Sequence, residues 1–120
     1  MVILIVDSSV LIIERLQNLL SETENITAVY GAVSYKDGAK FFNDIRPNVV
    51  LLDIDLPENQ SFMLLKEIRK AGQQTSVIIL SNQTDAGLQE QYRSMGANFF
   101  FDKYHDFAKI PIAIRYISSN

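Results

Sequence analysis

Asp53 ends an apolar run, Val49-Val50-Leu51-Leu52, and Ile54-Asp55-Leu56-Pro57 follows it. A run of this kind bounded by a proline turn reads as a buried strand. A carboxylate just past the last apolar residue falls at the strand's carboxyl end, the edge where open α/β sheets bind ligands. Two further apolar runs end in polar groups in the same way. Val2 to Val6 leads into Asp7-Ser8, and Val77 to Leu80 leads into Ser81-Asn82. Phe99-Phe100-Phe101 leads through Asp102 to Lys103. Two acids, hydroxyls and a lysine gathered on one rim suit a hard cation, which takes oxygen ligands. They also suit a phosphoryl group, which a lysine ammonium meets as a point charge.

Positioning those residues on one rim requires strands alternating with helices, and the patterning provides them. After the first strand, Ile12, Ile13, Leu16, Leu19 and Leu20 form an apolar stripe at helical spacing. Thr27 to Tyr30 reads as a short second strand. Ala39, Phe42 and Ile45 mark a second helix that ends near Pro47. Val49 to Asp53 is the third strand. Phe62, Leu65 and Ile68 mark the third helix, with Gly72 as its stop. Val77 to Leu80 is the fourth strand, and Leu88, Tyr92 and Met95 mark a fourth helix stopped by Gly96. Asn98 to Phe101 is the fifth strand, and Phe107, Ile110, Ile114 and Ile117 mark the last helix. Pro111 falls within that stripe, so the helix either begins late, with Pro111 in its first turn, or kinks there. Five β-α units joined by short connections predict an α/β fold: a doubly wound, five-stranded parallel sheet with helices on both faces, a flavodoxin-like (βα)5 three-layer sandwich.

Composition narrows the function classes. The chain has 120 residues, 48% of them hydrophobic, which suits one domain with a real core. Its net charge of -3, pI of about 5.0 and lack of a basic patch argue against nucleic-acid binding by this chain. No cysteine is present, so disulfides and thiolate metal sites are excluded. No apolar run approaches the ~20 residues of a membrane span, and Asp7 cuts short the apolar start before it could act as a signal peptide. The expectation is a soluble cytoplasmic protein.

In order and spacing, Val6-Asp7-Ser8-Ser9, Leu51-Leu52-Asp53-Ile54-Asp55-Leu56-Pro57, Ile79-Leu80-Ser81, Gly96-Ala97 and Phe101-Asp102-Lys103 resemble the receiver domain of bacterial two-component response regulators. The resemblance runs from Met1 to about Ile117, so residues 1–120 are expected to form a single receiver domain, either stand-alone or cut from a longer protein. It implies that Asp53 takes a phosphoryl group from a phosphohistidine on a sensor histidine kinase or phosphotransfer protein. A carboxylate is a competent nucleophile for such a transfer, and positioning with charge neutralisation supplies most of the catalysis. The resemblance further implies Mg²⁺ held by Asp7, Asp53 and the backbone carbonyl of Asp55. Ser81 would bond one phosphoryl oxygen and Lys103 another. Ser81 and the aromatic Phe100 would then move inward, and a downstream target would read the face of helix four, strand five and helix five. A homodimer is possible on the same grounds. The activity implied is self-catalysed phosphoacceptance and autodephosphorylation, not enzymatic turnover.

The chain departs from the family at several positions. Ser8 stands where a second acid is usual, which gives the cation one charge less, though a contact through water could survive. By residue type alone, Ser8 and Ser9 read better as caps of the first helix. Asn82 replaces a small residue and bears on access to Asp53. Tyr104 replaces the proline that follows a cis bond in the family, and a trans bond is expected here. Ser61 takes the place of a common glycine. Phe99 and Phe101 share a strand face and read as core, while for Phe100 core packing and switching remain open. His105, Asp102 and Glu58 are expected at the solvated surface without a role. Two other readings stand beside the receiver. One is a binding-only pseudo-receiver, for which Ser8 argues. The other is a phosphatase of the haloacid-dehalogenase type, which the Asp53-Ile54-Asp55 pair resembles. That family carries its metal acids after the lysine, whereas here no acid pair follows Lys103.

Overall fold

In a computed structural model that describes residues 1–82 and 85–119, the chain alternates strand and helix throughout. The order is β1 (Val2–Val6), α1 (Val10–Leu20), β2 (Ala28–Ala32), α2 (Tyr35–Ile45), β3 (Val49–Asp53), a 3₁₀ turn (Pro57–Asn59), α3 (Gln60–Lys70), β4 (Ser76–Ser81), α4 (Ala86–Ser94), β5 (Phe99–Asp102) and α5 (Lys109–Ser118). All strand pairs are parallel, in the order β2-β1-β3-β4-β5. Because side chains alternate across a strand, each central strand feeds two cores. Ile3, Ile5, Val49, Leu51, Ile78 and Leu80 pack under α1 and α5. Leu4, Val6, Val50, Leu52, Val77 and Ile79 pack under α2, α3 and α4. Burial on both faces explains why the β3 sequence is apolar without alternation.

β1 and β3 lie where the sequence pattern places them. β2 runs on to Ala32, two residues past the expected end at Tyr30. Gly31 looks like a strand stop, but a β-carbon there would come within 2.5 Å of Ile13 Cγ2, so the glycine lets α1 approach. β5 starts one residue later than expected. The Asn98 side chain accepts bonds from Val77 N at 2.7 Å and Arg69 Nη2 at 2.8 Å, so it acts as an anchor ahead of the strand. The Pro111 alternative resolves in favour of a late helix start. α5 begins at Lys109, which puts Pro111 in the first turn, where its missing N–H has no helical partner to lose. No described peptide bond is cis, as expected for Lys103-Tyr104.

Gly96 closes α4 at φ 104°, and its carbonyl receives Arg69 Nε at 2.9 Å and Nη2 at 2.7 Å. A β-carbon there would lie 2.7 Å from Arg69 Nε. Gly96→Ala is therefore expected to lower unfolding stability by about 1–3 kcal/mol through backbone strain and loss of the arginine clamp. Urea unfolding should show a lower midpoint at an unchanged slope.

Candidate functional site

The carboxyl ends of β1, β3, β4 and β5 meet on one edge, and the register sets the heights of the side chains. Val6 pairs with Leu52, Asp53 with Leu80, and Ser81 with Asp102. Asp7 extends β1 by donating its N–H to Ala32 O at 3.0 Å. Ile54 N–H reaches Leu80 O at 2.9 Å, and Lys103 N–H reaches Ser81 O at 2.7 Å. Short main-chain bonds past the strand ends thus hold Asp7, Asp53, Ser81 and Lys103 at one rim. Asp7 is 0% exposed, Asp53 1% and Lys103 6%. Ser81 is buried beside them, whereas Asn82 is exposed at the start of the connection to α4.

Lys103 Nζ lies 2.9 Å from Asp7 Oδ2 and 3.0 Å from Asp53 Oδ1. Each acid is also held in a tight turn. Ser9 N–H donates to Asp7 Oδ1 at 2.8 Å, and Asp55 N–H donates to Asp53 Oδ1 at 2.9 Å. Asp7 Oδ2 touches the lysine as an ion pair, but no donor meets it in hydrogen-bonding geometry. The Lys103 ammonium is thus the charge that faces this buried oxygen. Burial pushes the Asp7 carboxyl above the usual carboxylate range; the charge of Asp53 adds to the shift, and Lys103 and the Ser9 amide oppose it. Burial pulls Lys103 down, but its contacts with Asp7 and Asp53 outweigh that and hold the ammonium above its ordinary value. Burial, followed by the charge of Asp53, also raises Asp55.

Among the described residues, no three acids or histidines gather as a ready-made metal cluster. What the rim offers is two buried carboxylates, both paired with Lys103, and the hydroxyl of Ser8. That donor set is all oxygen and short of charge. It fits a hard cation that keeps several waters and takes one or two carboxylates.

Several sequence expectations change here. Ser9 caps α1, its hydroxyl accepting from Ile12 N at 3.3 Å, but Ser8 does not. Ser8 turns its hydroxyl towards Asp53 Oδ2 at 3.5 Å instead, because one cap suffices and Ser8 lies on the rim side. Asp102, expected at the solvated surface, is buried. It accepts from the N–H groups of Tyr104 and His105 at 2.8 Å each, and these bonds hold its carboxyl below the usual range. An acid bonding main chain two residues ahead is a common turn device, so Asp102 was open to that reading. His105 is exposed, as expected, with Nδ1 3.1 Å from Asp102 Oδ1, and Glu58 is exposed. Phe99 and Phe101 stack at 5.8 Å and pack against the α1–α5 core. Phe100 packs on the other face, 6.3 Å from the Tyr92 ring. Sequence reasoning missed Ser61 as a site residue. It is buried on α3, and its hydroxyl donates to the Asp53 main-chain carbonyl at 2.6 Å.

A parallel α/β sheet with buried acids and a lysine at its carboxyl edge carries the oxygen donors and the positive charge that hard cations and phosphoryl groups call for. The sequence pattern of the response regulator receiver domain family matches residues 3–115, and the chain belongs to that family, the receivers of two-component systems. It is 32% identical over 117 residues to a protein-glutamate methylesterase/protein-glutamine glutaminase of Trichodesmium erythraeum, covering 96% of this chain and 33% of that protein. It is 27% identical to the Fimbriae Z protein of Salmonella typhimurium, covering 98% of this chain and 56% of that one. The chain therefore spans between a third and somewhat over half of the length of these relatives. Among solved structures, the signal receiver domain of a DNA-binding response regulator from Colwellia psychrerythraea superposes with a TM-score of 0.91 at 19% identity, covering 99% and 98% of the two chains. The response regulator domain of Thermotoga maritima CheB superposes at 0.82 with 23% identity, covering 99% and 94%. Family membership turns the reading away from the haloacid-dehalogenase-type phosphatase. Among the described residues, no helix is long and apolar enough to cross a membrane.

Proposed function

We propose that this receiver is a cytoplasmic phosphoacceptor. Asp53 would take a phosphoryl group from a phosphohistidine of a sensor histidine kinase or phosphotransfer protein. A carboxylate oxygen forms the new bond to phosphorus while the bond from phosphorus to the imidazole nitrogen breaks, leaving its electron pair on the ring. The observation that carries the reading is the buried Asp7–Lys103–Asp53 cluster. Two acids that cost stability are held together by one ammonium at a ligand-binding edge. Asp7, Asp53 and the main-chain carbonyl of Asp55 would hold Mg²⁺, with Ser8 contributing through water. When bound, the ion supplies neutralisation of phosphoryl charge. Lys103 supplies a second positive charge, and Ser81 a hydroxyl donor. Asn82, exposed at the entrance, bears on access. Ser81 and Phe100 would carry the switch, and a target protein would read the face of α4, β5 and α5. The test is intact-mass spectrometry after incubation with Mg²⁺ and acetyl phosphate. One added phosphoryl group, absent when the metal is chelated, supports the reading, and no adduct rejects it.

A binding-only pseudo-receiver is the second reading, favoured by Ser8, a neutral hydroxyl 3.5 Å from the Asp53 carboxylate where the resemblance leads one to expect an acid. The Mg²⁺ affinity of the Ser8→Asp variant bears on both readings. One more carboxylate on the rim is expected to tighten Mg²⁺ about tenfold or more. Calorimetric titration reads this directly. Unchanged affinity would mean that position 8 does not face the ion.

A further inference from the structure

We propose that Ser61 is a positioning residue for Asp53 and that, with Tyr92, it ties the main chain of the acceptor to α4. This rests on the phosphoacceptor reading above. Ser61 is 1% exposed, in the first turn of α3, and its hydroxyl donates to Asp53 O at 2.6 Å. The β1–β3 pairing stops at Val6–Leu52, one residue short of Asp53. The hydroxyl of Ser61 thus continues the main-chain pinning of β3 at the residue that carries the nucleophile. A donor is needed there because the entry to α3 is otherwise loosely tied. Glu58 and Asn59 are both left-handed, at φ 58° and 59°, and Asn59 makes no side-chain cap bond.

Tyr92 extends the contact to α4. It is 2% exposed and stacks on Phe62, the neighbour of Ser61, with ring centroids 4.3 Å apart and planes 9° apart. It also tilts against Phe100 at 6.3 Å. Burial pushes its phenol up to about 12; hydrogen bonding by Ser61 offsets part of this, and the charges of Asp55 and Asp53 add to it. The phenol therefore lies within electrostatic reach of both rim acids while it sits on the helix that borders the target-facing surface. The Ser61 hydroxyl is satisfied by Asp53 O, and Tyr92 meets the same turn through its stack on Phe62. A rearrangement of the main chain at Asp53 is thereby felt at α4 through Ser61 and the Phe62–Tyr92 stack, alongside the Ser81–Phe100 route.

The experiment compares wild type, Ser61→Ala, Ser61→Thr and Tyr92→Leu, each first shown to be folded by circular dichroism. Single-turnover phosphorylation is measured across acetyl phosphate concentrations, and amide NMR shifts of α4 are recorded with and without the phosphoryl group. Ser61→Ala is expected to slow the maximal rate about tenfold at an unchanged half-saturating donor concentration. Ser61→Thr, which keeps the hydroxyl, should restore the rate. Tyr92→Leu, which removes the stacked ring, should leave the rate near wild type and abolish most of the α4 shift. Wild-type rates and an intact α4 response in all three variants would overturn the inference while leaving the phosphoacceptor standing. An unphosphorylated wild type would instead remove that reading, and this inference with it.

Discussion

Lys103→Met is expected to destabilise the protein by about 3–5 kcal/mol near neutral pH, because it strands two buried carboxylates. That is a large share of a domain's total of about 5–15 kcal/mol. In the wild type, Nζ lies 2.9 Å from Asp7 and 3.0 Å from Asp53, and neither acid has solvent to turn to. Methionine fills much of the space but supplies no charge. The pH profile separates this cause from a packing defect. Asp7 already titrates above the ordinary carboxylate range because of burial. Loss of the ammonium would raise it further. An acid whose folded value exceeds its unfolded value binds more protons when folded, so stability falls as pH rises between the two values. The deficit of the variant should therefore be smallest near about pH 4 and grow towards neutrality. Lys103 itself is raised above 10.5, so its own contribution is complete below that value and is lost only as pH climbs through the folded value. The other charged group facing the cluster, Asp55, is also raised and adds to the same slope. Mg²⁺ binding only the native acids should restore stability, and more in the variant than in wild type. Urea melts across pH, with and without Mg²⁺, read all three effects. A flat pH profile with wild-type stability would mean that the ion pair does not hold the acids.

Much of this arrangement was legible from sequence because burial writes itself into composition. β3 is enclosed on both faces, so Val49 to Leu52 is unbroken apolar and Asp53 is conspicuous at its end. The same logic exposed Asp7, Ser81 and Lys103. The edge strands are harder to read. β2 runs through Gly31, whose role is to admit Ile13, and β5 begins only after Asn98 has used its side chain as an anchor. The Ser61–Asp53 bond spans eight residues across a turn whose left-handed residues are Glu58 and Asn59. Neither hydroxyl burial nor that turn geometry has a periodic signature. Ser8 and Ser9 show the limit most plainly, because two identical residues in sequence divide into one helix cap and one rim hydroxyl. Asp102 fails for a related reason: an acid that turns inward to bond two main-chain N–H groups has the same composition as one that faces water.

Asp53→Asn should abolish the phosphoryl adduct without costing stability. The amide is no nucleophile for an acyl phosphate, so intact mass should show no added phosphoryl group under conditions that modify wild type. The fold loses little. An amide oxygen can keep the bond from Asp55 N–H, now 2.9 Å, and Lys103 keeps Asp7 at 2.9 Å. One lysine now serves one acid instead of two. The charge of Asp53 is among the causes that raise Asp7, so its removal lets Asp7 titrate closer to 3.8. That narrows the interval over which rising pH costs stability, and the variant should gain on wild type between about pH 4 and neutrality. Equal or higher stability together with no adduct would identify Asp53 as a residue kept for chemistry at the expense of the fold. An adduct on the variant would move the acceptor elsewhere. A loss of about 3 kcal/mol or more would make Asp53 chiefly a structural partner of Lys103, since removing one half of a needed buried pair costs about 3–5 kcal/mol.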